Sequence, residues 1–296
     1  MSIVIGTNRS SLQAANYLSA NQTQLSNTLS SLSSGSRLTN PSTDSGGLAV
    51  SMQLTATANR DSAIINTIAN AQSFLQTQNG ALQVATSLVD RISQLVTMSK
   101  DVTLTTTNTS NYNTEFSQLQ QELTTIIGAQ YNGISLFTTA TVSGTLPVLS
   151  TNDLSTTNQI SIVQMSLGST AVGVGSIGVL ASTSTATTGG ITTSTAGVNG
   201  YTSLTSITSS EITSFVNTIA TFAATNGAEQ SRLNFASQLA TNDRTSLQSA
   251  NSSISDTDIA QATTALAKWN VLVQAGTSML TQANNSAQTV LKLITG

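Results

Sequence analysis

One run of apolar residues sets the terms for this chain. Ile68, Ala71, Leu75, Gln78, Leu82, Ala85, Val89, Ile92 and Val96 recur in steps of three and four, with Gln78 the single polar break. That is heptad spacing, and it belongs to a helix rather than a strand. Extended back to Asp44 and on to Lys100, the helix would hold about 57 residues and reach about 85 Å at 1.5 Å per residue. No compact domain of a 296-residue chain is that wide. Such a helix must lie against long partner helices, in the same chain or another.

A second seam closes the chain. Ile259, Ala262, Leu266, Trp269, Val273, Gly276, Leu280, Ala283, Ala287, Val290 and Ile294 hold the same spacing. Ser253-Ile-Ser255-Asp256-Thr-Asp258 precedes it, supplying N-cap candidates and acidic side chains for the positive end of a helix. Ala15, Leu18, Gln22, Leu25, Leu29 and Leu32 form a further helix, stopped by Ser33-Ser34-Gly35. Tyr112 to Ile127 reads as helix ending near Gly128, and Ile212, Phe215, Ile219 and Phe222 as one ending near Asn226-Gly227. Leu233, Ala236, Ala240, Asp243, Leu247, Ala250 and Ile254 make another, weakened at Asp243.

The middle differs in kind. From Tyr131 to Tyr201 the sequence concentrates glycine, and Asp153 is the only charge between Glu122 and Glu211. Gln159 to Met165 and Thr170 to Gly175 read as short strands between Thr- and Gly-rich turns. The expected fold is mainly α, with long antiparallel coiled-coil helices formed by the N- and C-terminal segments and a small β-rich central insert. Three helices precede the insert and three follow it. The expected division places 1–42 with 253–296 in a terminal coiled coil, 43–140 with 205–252 in a long-helix bundle, and 141–204 in the insert. The termini would lie at one end of a rod and the insert at the other.

Composition excludes whole classes of chemistry. The chain has no His and no Cys, so the usual zinc, iron–sulfur and haem ligand sets cannot be built, and neither can a Ser-His-Asp or Cys-His catalytic group. No cofactor is expected. Lys and Arg number 9 against 12 Asp and Glu, and no basic residue occurs between Lys100 and Arg232. That leaves no clustered cations to displace counterions from nucleic acid. The first residues lack the basic segment and apolar core of a secretory signal, and no apolar run approaches the ~20 residues of a membrane span. Membrane insertion is not expected, and export would need a route without a cleaved signal.

Candidate reactive groups each have a plainer reading. Asp256 and Asp258 are two apart and diverge on a helix, so they serve its N-terminus rather than a shared site. Glu115 and Glu122 lie on one face, suited to solvent or a neighbouring subunit. Val172-Gly173-Val-Gly175-Ser-Ile-Gly178 imitates a phosphate loop without the strand–loop–helix context or the lysine. Trp269 is packing.

The outward helix faces are the unusual feature. Charged residues make up 7% of the chain, whereas ordinary proteins carry about 25%. Roughly a third of all residues are Ser or Thr. Ser278, Thr281, Gln282, Asn284, Asn285 and Gln288 stand where surface helices usually present Glu, Lys and Arg. These are mediocre helix formers, so packing must hold the helices. Uncharged polar faces are easier to bury than charged ones. In a homopolymer they also avoid setting a charge against its own copy; the plainer alternative is that charge is simply scarce in the secreted proteins of this lineage.

Several segments resemble the bacterial flagellin family. Ile5-Gly-Thr-Asn8 is similar to its opening Ile-Asn-Thr-Asn, and Leu32-Ser-Ser-Gly-Ser-Arg37-Leu38 to Leu-Ser-Ser-Gly-x-Arg-Ile. Asp44-Ser-Gly-Gly47-Leu-Ala49 stands at the family's Asp-Asp-Ala-Ala-Gly turn. Asn79-Gly80-Ala81-Leu82 resembles Glu-Gly-Ala-Leu, and Tyr131-Asn132-Gly133 resembles Phe-Asn-Gly. The most specific is Gln274-Ala-Gly-Thr-Ser-Met-Leu-Thr-Gln-Ala-Asn284, nearly the family's Gln-Ala-Gly-Thr-Ser-Val-Leu-Ala-Gln-Ala-Asn. The segments fall in order over 1–137 and about 230–296. Ser253-Ile-Ser-Asp-Thr-Asp-Ile259 departs from Arg-Ile-Glu-Asp-x-Asp-Tyr, losing two charges and an aromatic ring.

The resemblance implies an extracellular filament subunit for swimming motility, exported unfolded through the flagellum's own type III channel. Paired terminal helices would line an inner tube, the next pair an outer tube, and the middle would face outward. It implies an export chaperone, a cap and hook-junction proteins as partners besides the chain itself, and no catalytic role. The expected assembly interface is Leu25, Leu29, Leu32, Leu266, Trp269, Val273, Leu280, Val290 and Ile294. Arg91 and Leu95 match the stretch that an innate Toll-like receptor recognises in some members, while the charges between them are missing, which counts against that recognition. The rival readings are a hook–filament junction protein and, more distantly, a secreted adhesin. Thr183 to Thr195 is a candidate for O-glycosylation.

Overall fold

The computed structural model describes residues 8–138, 144–151, 159–167, 185–188, 191–194 and 203–295. Five helices dominate: α1 (Arg9–Ser34), α2 (Ser45–Ser99), α3 (Thr106–Ile127), α4 (Ser209–Ser255) and α5 (Ile259–Thr295). Between α3 and α4 lie strands β1 (Gln130–Tyr131), β2 (Ile134–Ser135), β3 (Gly144–Leu149), β4 (Gln159–Gln164), β5 (Thr185–Thr188) and β6 (Ile191–Ser194). They pair as three separate two-stranded antiparallel ladders. The fold is mainly α with a small strand-containing centre, as the sequence led one to expect. The Thr170–Gly175 strand and the glycine loop at 172–178 lie outside the described residues, and of Thr183 to Thr195 only the backbone of β5 and β6 is described.

Contacts divide the chain into two compact units, Met1–Asn59 with Arg244–Gly296, and Arg60–Asp243. In the first, α1 and α5 pair. Asn8 Nδ2 donates to the Ala283 carbonyl (2.9 Å) and Ser11 Oγ to Asn284 Oδ1 (2.8 Å), whereas the far end of α1 meets the residues before α5, so the two helices run antiparallel. Gly276 lets them approach. A Cβ there would stand 3.2 Å from Leu18 Cδ1. Asn8 caps α1 by accepting from the Ser11 N–H at 3.1 Å, and Gly35 ends it with φ 71°. That left-handed conformation favours glycine.

The α1 seam is shifted from the expected one. Leu18, Leu25 and Leu32 are half-buried, but the positions between them that turn inward are Asn21 and Thr28. Gln22 and Leu29 face out, Leu29 at 48% exposure. Two 3-4 stripes share the same three leucines, and the pair with α5 uses the one that apolarity alone does not select.

The second unit holds the core. All nine positions of the long α2 seam are buried, none more than 7% exposed. They pack with Phe116 and Leu123 of α3, Phe215, Ile219 and Leu233 of α4, and Leu136, Phe137, Ile162 and Met165 around the first two hairpins. Each fully buried aliphatic or aromatic side chain contributes about 1.5–3 kcal/mol. That packing overrides the poor helix propensity of the Thr-, Ser- and Asn-rich exposed faces.

The expected break near Asn226-Gly227 is not there. α4 runs through it unbroken, giving two helices after the insert rather than three. Asn226 is fully buried, and its amide donates to the Leu75 carbonyl (3.1 Å) and to Gln78 Oε1 (2.7 Å). Gln78, in turn, donates to the Leu136 carbonyl at 2.8 Å and the Val163 carbonyl at 3.3 Å. The Val163 N–H donates to the Glu229 carboxylate at 3.1 Å. Side chains from two helices thus occupy the backbone groups of Val163 as a neighbouring strand would. The two polar residues that look like flaws in the sequence are a satisfied buried network.

Hydroxyl-rich helices are satisfied locally. Thr28 Oγ1 donates to the Gln24 carbonyl (2.8 Å), Thr57 to Gln53 (2.8 Å), Thr114 to Ser110 (3.0 Å), Thr225 to Thr221 (2.9 Å) and Thr281 to Thr277 (3.0 Å). The donor proton is spent one turn back within the same helix, which leaves each of these hydroxyl oxygens free to act only as an acceptor.

Candidate assembly site

Two helix-to-helix turns interlock in the first unit. One joins α1 to α2, the other joins α4 to α5, and their backbones bond to each other. The Arg37 N–H donates to the Ser255 carbonyl at 2.7 Å, and the Thr257 N–H donates to the Gly35 carbonyl at 3.0 Å. The Arg37 guanidinium reaches across, Nη2 donating to the Ile254 carbonyl at 2.8 Å and Nε to the same oxygen at 3.3 Å. Ile254 lies in the last turn of α4, where carbonyls lack intrahelical partners and carry partial negative charge, so a cation is well placed.

Arg37 Nη2 also pairs with Asp44 Oδ2 at 3.3 Å. Asp44 has a second task. Its Oδ1 accepts from the Gly47 N–H at 2.8 Å, capping the start of α2. That backbone hydrogen bond, followed by the Arg37 charge, holds the exposed Asp44 carboxyl below its ordinary pKa. A Cβ on Gly47 would meet Asp44 Cγ at 2.8 Å, so a larger residue there would have to push the capping carboxylate aside. Asp258 Oδ1 caps α5 through the Gln261 N–H (3.1 Å), whereas Asp256 turns to Ser252 and Ser255 and bridges to Ser36. Of the two aspartates, one caps and the other closes the joint.

Beside the joint lies an open groove of about 400 Å³, lined by Gln24, Thr28, Arg37, Asn40, Asp258 and Gln261 among others. Its lining is mainly amide and hydroxyl side chains, with Arg37 and Asp258 as the charged groups. Among the described residues no cluster of potential metal ligands occurs, and no helix is long and apolar enough to cross a membrane.

The residues expected at the interface distribute as follows. Leu25, Leu32, Leu266, Trp269, Val273 and Leu280 are half-buried on the paired helices. Leu29 is exposed, and the side chains of Val290 and Ile294 lie outside the described residues. Further apolar side chains also face out from the same pair: Leu12 at 56%, Tyr17 at 63%, Val271 at 64% and Met279 at 66% exposure. Sequence reasoning missed them because it followed the seam facing the partner helix, not the opposite flank. No residue of α1 is fully buried.

In the second unit, Arg91 Nε donates to Glu115 Oε1 at 2.7 Å, a pairing that raises the Arg91 pKa. Glu115 therefore has its partner within the chain. Leu95 is completely buried. Burial pushes the Glu229 carboxyl up, opposed by the Val163 N–H and by Arg232.

Residues 5–141 match the family model of the bacterial flagellin N-terminal helical region, and 210–294 that of the C-terminal helical region. Flagellin of Listeria monocytogenes is 27% identical over 98% of this chain and 99% of its own. The flagellar filament 30.7 kDa core protein of Treponema maltophilum is 29% identical over 99% of this chain and 100% of its own. Flagellin of Bacillus subtilis is 26% identical over 98% and 99%. The resembling segments, the paired terminal helices and both family matches agree: the chain belongs to the bacterial flagellin family.

Proposed function

We propose that the chain is the structural subunit of a bacterial flagellar filament, polymerising with copies of itself outside the cell. One observation carries this reading. The α1–α5 pair leaves large apolar side chains exposed on its outer flanks and buries no residue of α1 completely. Exposed apolar residues along one element are what a further partner covers. Head-to-tail contacts between copies generate an open helix when their rotation does not close. Similarity over nearly the full length of flagellins and filament core proteins favours the filament over a hook–filament junction protein.

Within that reading, 1–42 with 253–296 form an inner tube, 43–140 with 205–252 an outer tube, and 141–204 the exterior. The expected interface residues, with Leu29 facing a neighbouring copy, meet there. The role is structural rather than catalytic, and an export chaperone, a cap and hook-junction proteins handle the subunit before and during assembly. Recognition by an innate Toll-like receptor through the Arg91–Leu95 stretch is weak, since Arg91 is engaged by Glu115 and Leu95 is buried. Purified protein seeded with filament fragments should sediment as polymer. A chain that stays monomeric with seeds across salt and precipitant conditions would contradict the proposal.

A further inference from the structure

Four asparagines in this chain precede glycine: Asn79, Asn132, Asn199 and Asn226. Asn199 lies outside the described residues. The other three share a dipeptide and little else. Asn79 and Asn226 sit inside α2 and α4, where the following glycine N–H is committed to the carbonyl one turn back. Asn226 is buried as well, its amide held by Leu75 and Gln78 while its oxygen accepts from Gln230 at 2.5 Å.

Asn132 is the exception. It is exposed in the two-residue turn between β1 and β2, with φ 50°, followed by Gly133 at φ 79°. Two successive positive φ values are the pattern of a tight hairpin turn, which asparagine and glycine tolerate best. Its amide has no partner among the described residues.

We infer that Asn132-Gly133 is a self-modification site, at which the chain deamidates without an enzyme, using only water. The main-chain nitrogen of Gly133 attacks the Asn132 side-chain carbonyl carbon. A bond from that nitrogen to Cγ forms, the Cγ–Nδ2 bond breaks, and ammonia leaves carrying the proton lost from Gly133. Water then opens the five-membered imide at either carbonyl, giving aspartate or isoaspartate. No electron transfer is involved. Glycine at the attacking position presents no Cβ to hinder the approach, and reaching the required geometry needs rotation within one exposed turn. At Asn79 and Asn226 a helix must open first.

The product has structural consequences. Isoaspartate routes the backbone through an extra carbon, and a two-residue turn pairing Tyr131 with Ile134 cannot absorb it. Tyr131 stands edge-on to the core residue Phe74, with ring centres 6.1 Å apart. Deamidation therefore loosens a hairpin anchored on the core and adds one negative charge to a chain of net charge −3.

The test incubates the native full-length protein at mildly alkaline pH and follows each Asn-Gly peptide by mass spectrometry, with isoaspartate resolved chromatographically. Asn132 should convert at least about tenfold faster than Asn79 or Asn226, because helix opening precedes their reaction. In denaturant the three rates should converge. Asn132→Gly keeps a residue suited to positive φ, and should remove that product while the fold persists. Equal native rates at all three sites, or an Asn132 that stays intact while the denatured chain converts, would overturn the inference.

Discussion

Arg37 Nη2 donates to the carbonyl oxygen of Ile254 at 2.8 Å, tying residues 217 positions apart. The bond closes the joint between the α1–α2 turn and the α4–α5 turn, and Asp44 holds the same guanidinium from the α2 side.

Replacing Arg37 with Ala should cost about 1 kcal/mol, discounted for a half-exposed side chain, and shift the thermal transition of the filament downward. Arg37→Lys should recover only part, since an ammonium lacks the planar fork that lets Nε and Nη2 share one oxygen. Equal melting of Lys and wild-type filaments would remove the fork from the account.

The joint should be acid-sensitive in a defined direction. Asp44 has a folded pKa below its unfolded value, so its contribution is present above the unfolded pKa and lost as pH falls through the folded one. Asp44→Asn should flatten that part of the pH–stability profile below about pH 4. An unchanged profile would mean the cap and ion pair add nothing to stability.

Glu229 should act in the opposite direction. Burial raises its folded pKa, so its stabilising contribution is fully present below the unfolded pKa and lost as pH rises through the folded value. Glu229→Gln retains an acceptor for the Val163 N–H and removes the buried charge. At neutral pH it should be at least as stable as wild type, and protection of the Val163 amide in hydrogen exchange should persist. Glu229→Ala should lose that protection. If Gln melts lower than wild type at neutral pH, the ionised form is the favoured one.

Much of this was legible in advance. The heptad spacing of α2 marked nine positions and all nine are buried, because a helix packed on both long neighbours leaves its seam no freedom. Where reasoning failed, tertiary contacts decided. Gln78 read as a defect and Asn226-Gly227 as a stop, since hydrogen bonds between α2 and α4 are invisible to local propensity. Leu29 lies off the seam that faces α5, because two stripes share the leucines 18, 25 and 32. Arg37, Asp44 and Gly47 stood out by resemblance alone, and nothing in one sequence announces that Arg37 meets Ile254.

The α1–α5 pair should tolerate charge as a monomer and resist it as a polymer. Ser278 and Thr281 are exposed on α5. Ser278→Lys with Thr281→Lys should leave the circular dichroism of the monomer unchanged and raise the critical concentration for polymerisation about tenfold or more, a difference of about 1.4 kcal/mol. Polymerisation at wild-type concentration would favour scarcity of charge with no role in assembly.

Electron cryomicroscopy of the assembled polymer, with helical reconstruction, tests the central claim most directly. The account predicts a tube whose innermost density is the antiparallel α1–α5 pair, with Leu12, Tyr17, Leu29, Val271 and Met279 against neighbouring copies. A polymer in which that pair lies on the outer surface with those side chains in solvent would contradict it.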